Sequence, residues 1–193
     1  TPLPAGYQPA ENQGIPDPQI KTKFQSVIGS LLYLMLGTRP DISFAVTRLS
    51  QYAANPSKEH LDKALYICRY LAGTRDYAIE YDGDGDGLMA YVDADHATNA
   101  DASNGRRSVT GWFYMLANGI FAWQTRAQKT VAHSSTEAEY MALSDCSRQA
   151  AWLRNLFKEI KYDLDPIPLY GDNMGSIFTA QNAVQSRKTK HID

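Results

Sequence analysis

Ser134-Ser135-Thr136-Glu137-Ala138-Glu139-Tyr140-Met141-Ala142-Leu143 is a helix start that carries two acids with different tasks. Ser134 followed three residues later by Glu137 is a capping box, in which hydroxyl and carboxylate reciprocally satisfy backbone N–H groups left open at a helix N-terminus. That gives Glu137 a structural role. Glu139 instead opens the stripe Ala142, Leu143, Cys146, Ala150 and Leu153, whose spacing of three and four residues marks the core-facing side of a helix running to about Lys161. A carboxylate at the end of an apolar stripe must be protonated, paired or bound to a cation, because burying it ionised and alone is prohibitive.

The flanking segments supply a sheet for this helix. Val109 to Leu116 alternates, turns at Ala117-Asn118-Gly119, and resumes from Ile120 to Gln124, and an Asn-Gly between aromatic, apolar runs is a hairpin signal. The run Leu88-Met89-Ala90-Tyr91-Val92 leads into Asp93 and makes a third antiparallel strand. Beyond the helix, Pro166 to Gly171 reads as a short apolar strand ending at Asp172, and a further helix follows from Asn173 through Ile177 and Phe178 to about Gln181. The order βββαβα predicts an α/β fold with a mixed sheet, its last strand parallel to its first.

Two acids close strands in this scheme, Asp93 and Asp172, and Glu139 lies one to two turns into the helix packed over them. Ligand sites in such sheets gather at the carboxyl ends of parallel strands. Several carboxylates in one cleft repel unless a divalent cation neutralises them, and oxygen ligands without Cys or His favour Mg²⁺ or Mn²⁺. Such a site suits phosphoryl chemistry with metals about 3.5 to 4 Å apart. Spacing alone leaves each acid equally readable as a cap, a turn residue or a solvated side chain.

The rest of the chain offers less chemistry. Residues 1–20 hold five of the nine prolines and read as an extended arm or linker. Residues 21–75 read as helical: Phe24, Val27, Ile28, Leu31, Leu32 and Met35 form one stripe that stops near Gly37 to Pro40. Ile42, Ala45, Val46, Leu49 and Tyr52 form a second, ending before Asn55-Pro56. Leu61, Ala64, Leu65, Cys68 and Leu71 form a third, starting after Ser57 as N-cap. His60 there reads as a surface or cap histidine. Residues 76–193 form the sheet domain. At its start Tyr77 to Tyr81 alternates, and Asp82-Gly83-Asp84-Gly85-Asp86-Gly87 satisfies the D-x-D-x-D-G pattern of a calcium loop. An EF-hand loop joins two helices, whereas strand-like runs flank this one, so it is read as an Asp/Gly hairpin turn.

Composition excludes several classes. With 44% hydrophobic and 21% charged residues the chain is an ordinary globular one rather than a disordered tail. Two cysteines far apart, Cys68 and Cys146, argue against a zinc site or a disulfide scaffold. The apolar run around Leu31 to Leu36 is too short to span a bilayer and no signal peptide is visible, so an intracellular protein without a membrane partner is expected. A net charge of −2 gives no nucleic-acid affinity by itself, which leaves that role to local basic groups.

Several ordered motifs resemble a known family. They are Tyr91-Val92-Asp93-Ala94-Asp95, Arg106-Arg107-Ser108-Val109-Thr110-Gly111, Ser134 to Tyr140, Tyr170-Gly171-Asp172-Asn173 and Lys188-Thr189-Lys190-His191-Ile192. Together they resemble the ribonuclease H domain of copia-type LTR retrotransposon Pol polyproteins. Upstream, Ile28 to Leu34 and Thr38 to Ile42 resemble the segment that links the polymerase thumb to that domain. The resemblance implies a ribonuclease H-like fold with an N-terminal helical extension. It implies catalytic, metal-holding acids at Asp93, Glu139 and Asp172, and two Mg²⁺ ions for which Mn²⁺ can substitute. It also implies hydrolysis of the RNA strand of an RNA/DNA hybrid, beside a reverse transcriptase polymerase domain, in a cytoplasmic retrotransposon particle or the nucleus.

Arg106, Arg107, Lys129, Arg187, Lys188 and Lys190 are candidates for phosphate contacts, and Ser134, Ser135 and Asn173 for approach to the substrate. The family's last strand and helix, which carry a fourth acid, are expected to be missing, and Asp193 is considered in that acid's place. A different class of function therefore stands beside the nuclease: a catalytically impaired remnant that binds nucleic acid or protein.

Overall fold

The computed structural model describes residues 1–83, 85, 87–96 and 107–181. It divides into two compact units, one formed by Thr1–Ile79 and the other by described residues from 80 onward.

The first unit is helical. Helix α1 (Pro18–Gly37) begins three residues before the expected start at Lys21, because Asp17 accepts from the Gln19 and Ile20 amides and Pro18 occupies the first helical position. A 3-10 turn (Pro40–Ile42) leads into α2 (Ser43–Ser50), and α3 (Lys58–Gly73) follows. Phe24, Ile28, Leu31, Ile42, Val46, Leu49, Ala64 and Ile67 form the core. One expectation fails here. Leu65 is exposed, and Ile67 takes its place on the buried side of α3. Residues 1–17 carry no helix or strand, and they dock on the core: Leu3 and Tyr7 pack there, the Tyr52 hydroxyl donates to the Pro9 carbonyl at 3.0 Å, and Asn55 donates to the Asn12 carbonyl at 3.1 Å.

His60 is a cap histidine but not a surface one. Its amide donates to the Ser57 hydroxyl, its Nδ1 accepts from the Ser57 amide at 3.0 Å, and its buried ring stacks on Tyr52.

The second unit is the sheet expected from the alternation. Strands β1 (Met89–Asp95), β2 (Val109–Leu116), β3 (Gly119–Ala127) and β4 (Leu169–Tyr170) lie in the order β3-β2-β1-β4. Strands β1 to β3 are antiparallel and β4 runs parallel to β1. Helix α4 (Ser135–Glu159) and helix α5 (Met174–Gln181) complete the order βββαβα. In β1 the buried residues Ala90, Val92 and Ala94 alternate with exposed Tyr91 and Asp93. The buried set packs with Trp112 and Tyr114 of β2 against Ala138, Ala142, Cys146 and Leu153 of α4. Tyr114 is fully buried and its hydroxyl donates to the Cys146 carbonyl at 2.6 Å, fixing α4 on the sheet.

Three local readings need correction. Residues 77–81 form no strand, so the Asp/Gly connector joins no hairpin. Just beyond Glu80 the chain is held on the β2–β3 turn instead: Tyr81 donates to the Ile120 carbonyl and the Asp82 amide to the Ala117 carbonyl. That turn has Ala117 and Asn118 at its centre, both at positive φ, and Gly119 already pairs with Leu116. Gly119 is needed for close approach, since a Cβ there would lie 2.5 Å from the Tyr81 ring. Finally, β4 is only two residues long, shorter than the run from Pro166 to Gly171 suggests. No helix among the described residues is long and apolar enough to cross a membrane.

Candidate metal centre

Three elements deliver one acid each to the same place. Asp93 stands two residues before the end of β1, Asp172 two residues after β4, and Glu139 in the second turn of α4. Because β1 and β4 are parallel neighbours, with Tyr91 beside Tyr170, their carboxyl ends bring Asp93 and Asp172 to one edge of the sheet. Helix α4 packs on β1 through Ala138 and Ala142, which carries Glu139 to the same edge. One carboxylate oxygen from each acid lies within 4.8 Å of the others.

The electrostatics follow from that crowding. Asp93 and Asp172 are exposed and Glu139 is buried. Burial is the main reason that Glu139 is pushed up to about 7, and the charges of Asp93 and Asp172 add to it, while the Ala94 amide opposes. The Ala94 amide also donates to Asp93 Oδ1 at 2.8 Å. An all-oxygen cluster that resists full ionisation in the absence of a counter-charge has the donor chemistry of a hard divalent cation site.

Glu137 stands apart. Its amide donates to the Ser134 hydroxyl at 3.1 Å, as expected of a capped helix. Its carboxylate accepts from the His133 amide at 2.7 Å and not from Ser134, so the box closes one residue further out.

The remaining expected contacts divide. Arg107, Lys129 and Ser135 are exposed. Ser134 and Asn173 use their side-chain oxygens as caps, Ser134 on α4 and Asn173 on α5 by accepting from the Ser176 amide at 3.0 Å. Arg106, Arg187, Lys188, Lys190 and Asp193 lie outside the described residues.

Two residues escaped sequence reasoning. Asp145 on α4 accepts from Trp112 Nε1, Arg126 and Arg148. Gln128, one residue past β3, is buried and donates to both Thr110 and Ala138. Neither falls on a periodic stripe, and a lone Gln beyond a strand carries no signal of its own.

Comparison with known proteins places this geometry in context. No protein-family model matches the chain, and no solved structure matches it significantly. It is 37% identical over 173 residues to the retrovirus-related Pol polyprotein from transposon TNT 1-94 of Nicotiana tabacum, covering 90% of the chain and 13% of that polyprotein. It is 38% identical over 180 residues to the corresponding polyprotein from transposon RE2 of Arabidopsis thaliana, covering 92% and 12%. It is also 41% identical over 131 residues to secreted RxLR effector protein 161 of Plasmopara viticola, covering 67% of the chain and 90% of that protein. The chain thus spans about an eighth of the length of the Pol polyproteins that it matches over nine-tenths of its own. Over nine-tenths of its length the chain is similar to one segment of the retrovirus-related Pol polyproteins of transposons.

Proposed function

We propose that the sheet unit is a ribonuclease H-type domain, which hydrolyses the RNA strand of RNA/DNA hybrids within the reverse transcriptase of a copia-type retrotransposon. The observation that carries this reading is the meeting of Asp93, Glu139 and Asp172, three carboxylates from separate elements, in a chain similar to a segment of transposon Pol polyproteins. These residues would hold Mg²⁺, with Mn²⁺ able to substitute. When bound, such ions activate water for in-line attack on the phosphodiester and stabilise the leaving oxygen.

The protein's own groups divide the work. Asp93 and Asp172, being exposed, face the solvent from which a phosphate arrives, and Glu139 anchors the site from the buried side. At neutral pH Glu139 is partly protonated, and a bound cation would favour its ionised form. Arg107 and Lys129 are the described basic residues offered for backbone phosphates. Preference for RNA would come from 2′-hydroxyl contacts, and cleavage would leave a 5′-phosphate and a 3′-hydroxyl. The adjacent polymerase domain is the expected partner, inside the cell. Cleavage of a labelled hybrid by the wild-type chain in Mg²⁺, absent in Asp93→Asn, supports the assignment, and equal rates for the two overturn it.

One observation favours a second reading, a binding module without catalysis. The relative from Plasmopara viticola, nine-tenths of which aligns with this chain, is described as a secreted effector and not as a polyprotein. Hybrid binding that persists with no Mg²⁺ or Mn²⁺ site in a calorimetric titration would select it.

A further inference from the structure

Gln128 is the only polar residue of the β3–α4 connection that is buried among those described, and its side chain joins two elements at the level of the acids. Both hydrogens of its amide are used. One goes to Thr110 Oγ1 at 3.1 Å and the other to the Ala138 carbonyl at 2.9 Å. Thr110 is the β2 partner of Ala94, the residue after Asp93, and Ala138 is the residue before Glu139. The Gln128 backbone is itself fixed, because its amide donates to the Ser108 carbonyl at 2.8 Å.

This arrangement is a poor device for stability alone. With both N–H groups spent, the Gln128 Oε1 is buried with no hydrogen-bond partner among the described residues. Turning the amide over would set Oε1 against the Ala138 carbonyl, acceptor against acceptor, so the orphan oxygen is inherent in the clasp. Two neutral hydrogen bonds are largely offset by one buried acceptor left unpaired. What remains is geometry: the clasp fixes the separation between the β1–β2 ladder at Ala94 and the second turn of α4.

We propose that Gln128 is a positioning residue for the carboxylate cluster, holding Glu139 at the distance from Asp93 at which both can grip one divalent cation. The proposal rests on the metal-centre reading given above. Outer partners that orient ligands typically change metal affinity by about 10- to 100-fold when removed.

The test is a calorimetric titration of the whole chain with Mn²⁺, with thermal unfolding followed in parallel. Gln128→Met keeps the side-chain length and removes both donors. It is expected to weaken Mn²⁺ binding at least about tenfold. Tyr114→Phe, which removes the buried bond to Cys146, serves as the structural control: it lowers the melting temperature and leaves Mn²⁺ affinity unchanged. If Gln128→Met fails to fold, Thr110→Val removes one half of the clasp and is expected to weaken Mn²⁺ binding in the same direction. Wild-type affinity in a folded Gln128 variant, or in Thr110→Val, overturns the positioning role alone. A wild-type chain that binds Mn²⁺ no better than Asp93→Asn overturns the metal centre and the positioning role with it.

Discussion

Asp41 in the helical unit and Glu139 in the sheet unit are both partly removed from water, and the two units treat them in opposite ways. Burial pushes Asp41 up, but hydrogen bonds from Arg39 and Tyr70 and the charge of Arg39 outweigh it and leave the group below its ordinary value. Burial pushes Glu139 up as well, and there the neighbours are two more carboxylates, so the group rises to about 7. The helical unit supplies its acid with a guanidinium. The sheet unit collects three acids at one edge. Folding alone gains nothing from like charges brought together, so the unmatched cluster, and not the paired one, is the candidate place for an external cation.

The contrast can be broken most severely at the cluster. Asp172→Asn is expected to lower Mg²⁺-dependent hybrid cleavage by about a thousandfold, the several kcal/mol of charge stabilisation a metal site supplies, with the fold retained by circular dichroism. An equally large change in the other unit should act only on stability: Phe24→Ala empties a fully buried site and is expected to cost about 3–5 kcal/mol in denaturant unfolding. If it also weakened Mn²⁺ affinity in the folded protein, the separation of roles between the units would fail.

The opposite shifts predict opposite responses to pH. Glu139 holds its proton more tightly folded than unfolded, so the metal-free protein should lose stability as pH rises from about 4.5 through about 7. Glu139→Gln removes that slope, and added Mg²⁺ should reverse it, both readable as melting temperatures across the range. Asp41 has the other sign: its contribution is present above its ordinary 3.8 and is lost as pH falls through its lowered value. Arg39→Met, which leaves the Asp41 carboxylate with the Tyr70 hydroxyl and removes the guanidinium bonds to Asp41 and Thr74, is expected to cost about 1–3 kcal/mol in denaturant unfolding. Glu137→Gln should have the smallest effect, at most about 1 kcal/mol, since a glutamine oxygen can still accept from the His133 amide.

Much of the sheet unit was legible because its periodicity is set by the same contacts that bury it. Ala90, Val92 and Ala94 alternate as they must to face α4, and the capped start at Ser134 announces that helix. Where no partner strand lies alongside, the reading failed: residues 77–81 alternate in sequence but stay largely exposed, and Tyr81 is held instead by a hydrogen bond to Ile120, 39 residues away. The docked arm was missed for a related reason, since a proline-rich segment has no period to report that Tyr52 reaches Pro9. At the site, Asp93 and Asp172 could be placed near strand ends and Glu139 on the packed face of α4. Gln128 could not, because what marks it is a pair of hydrogen bonds to residues 18 and 10 positions away.

The most direct measurement compares the two acids of a single helix turn. Hybrid cleavage in Mg²⁺ should survive Glu137→Gln and disappear in Glu139→Gln, while both variants stay folded. Cleavage retained by Glu139→Gln and lost by Glu137→Gln would contradict the division of labour within Ser134 to Leu143 and the carboxylate cluster built on it.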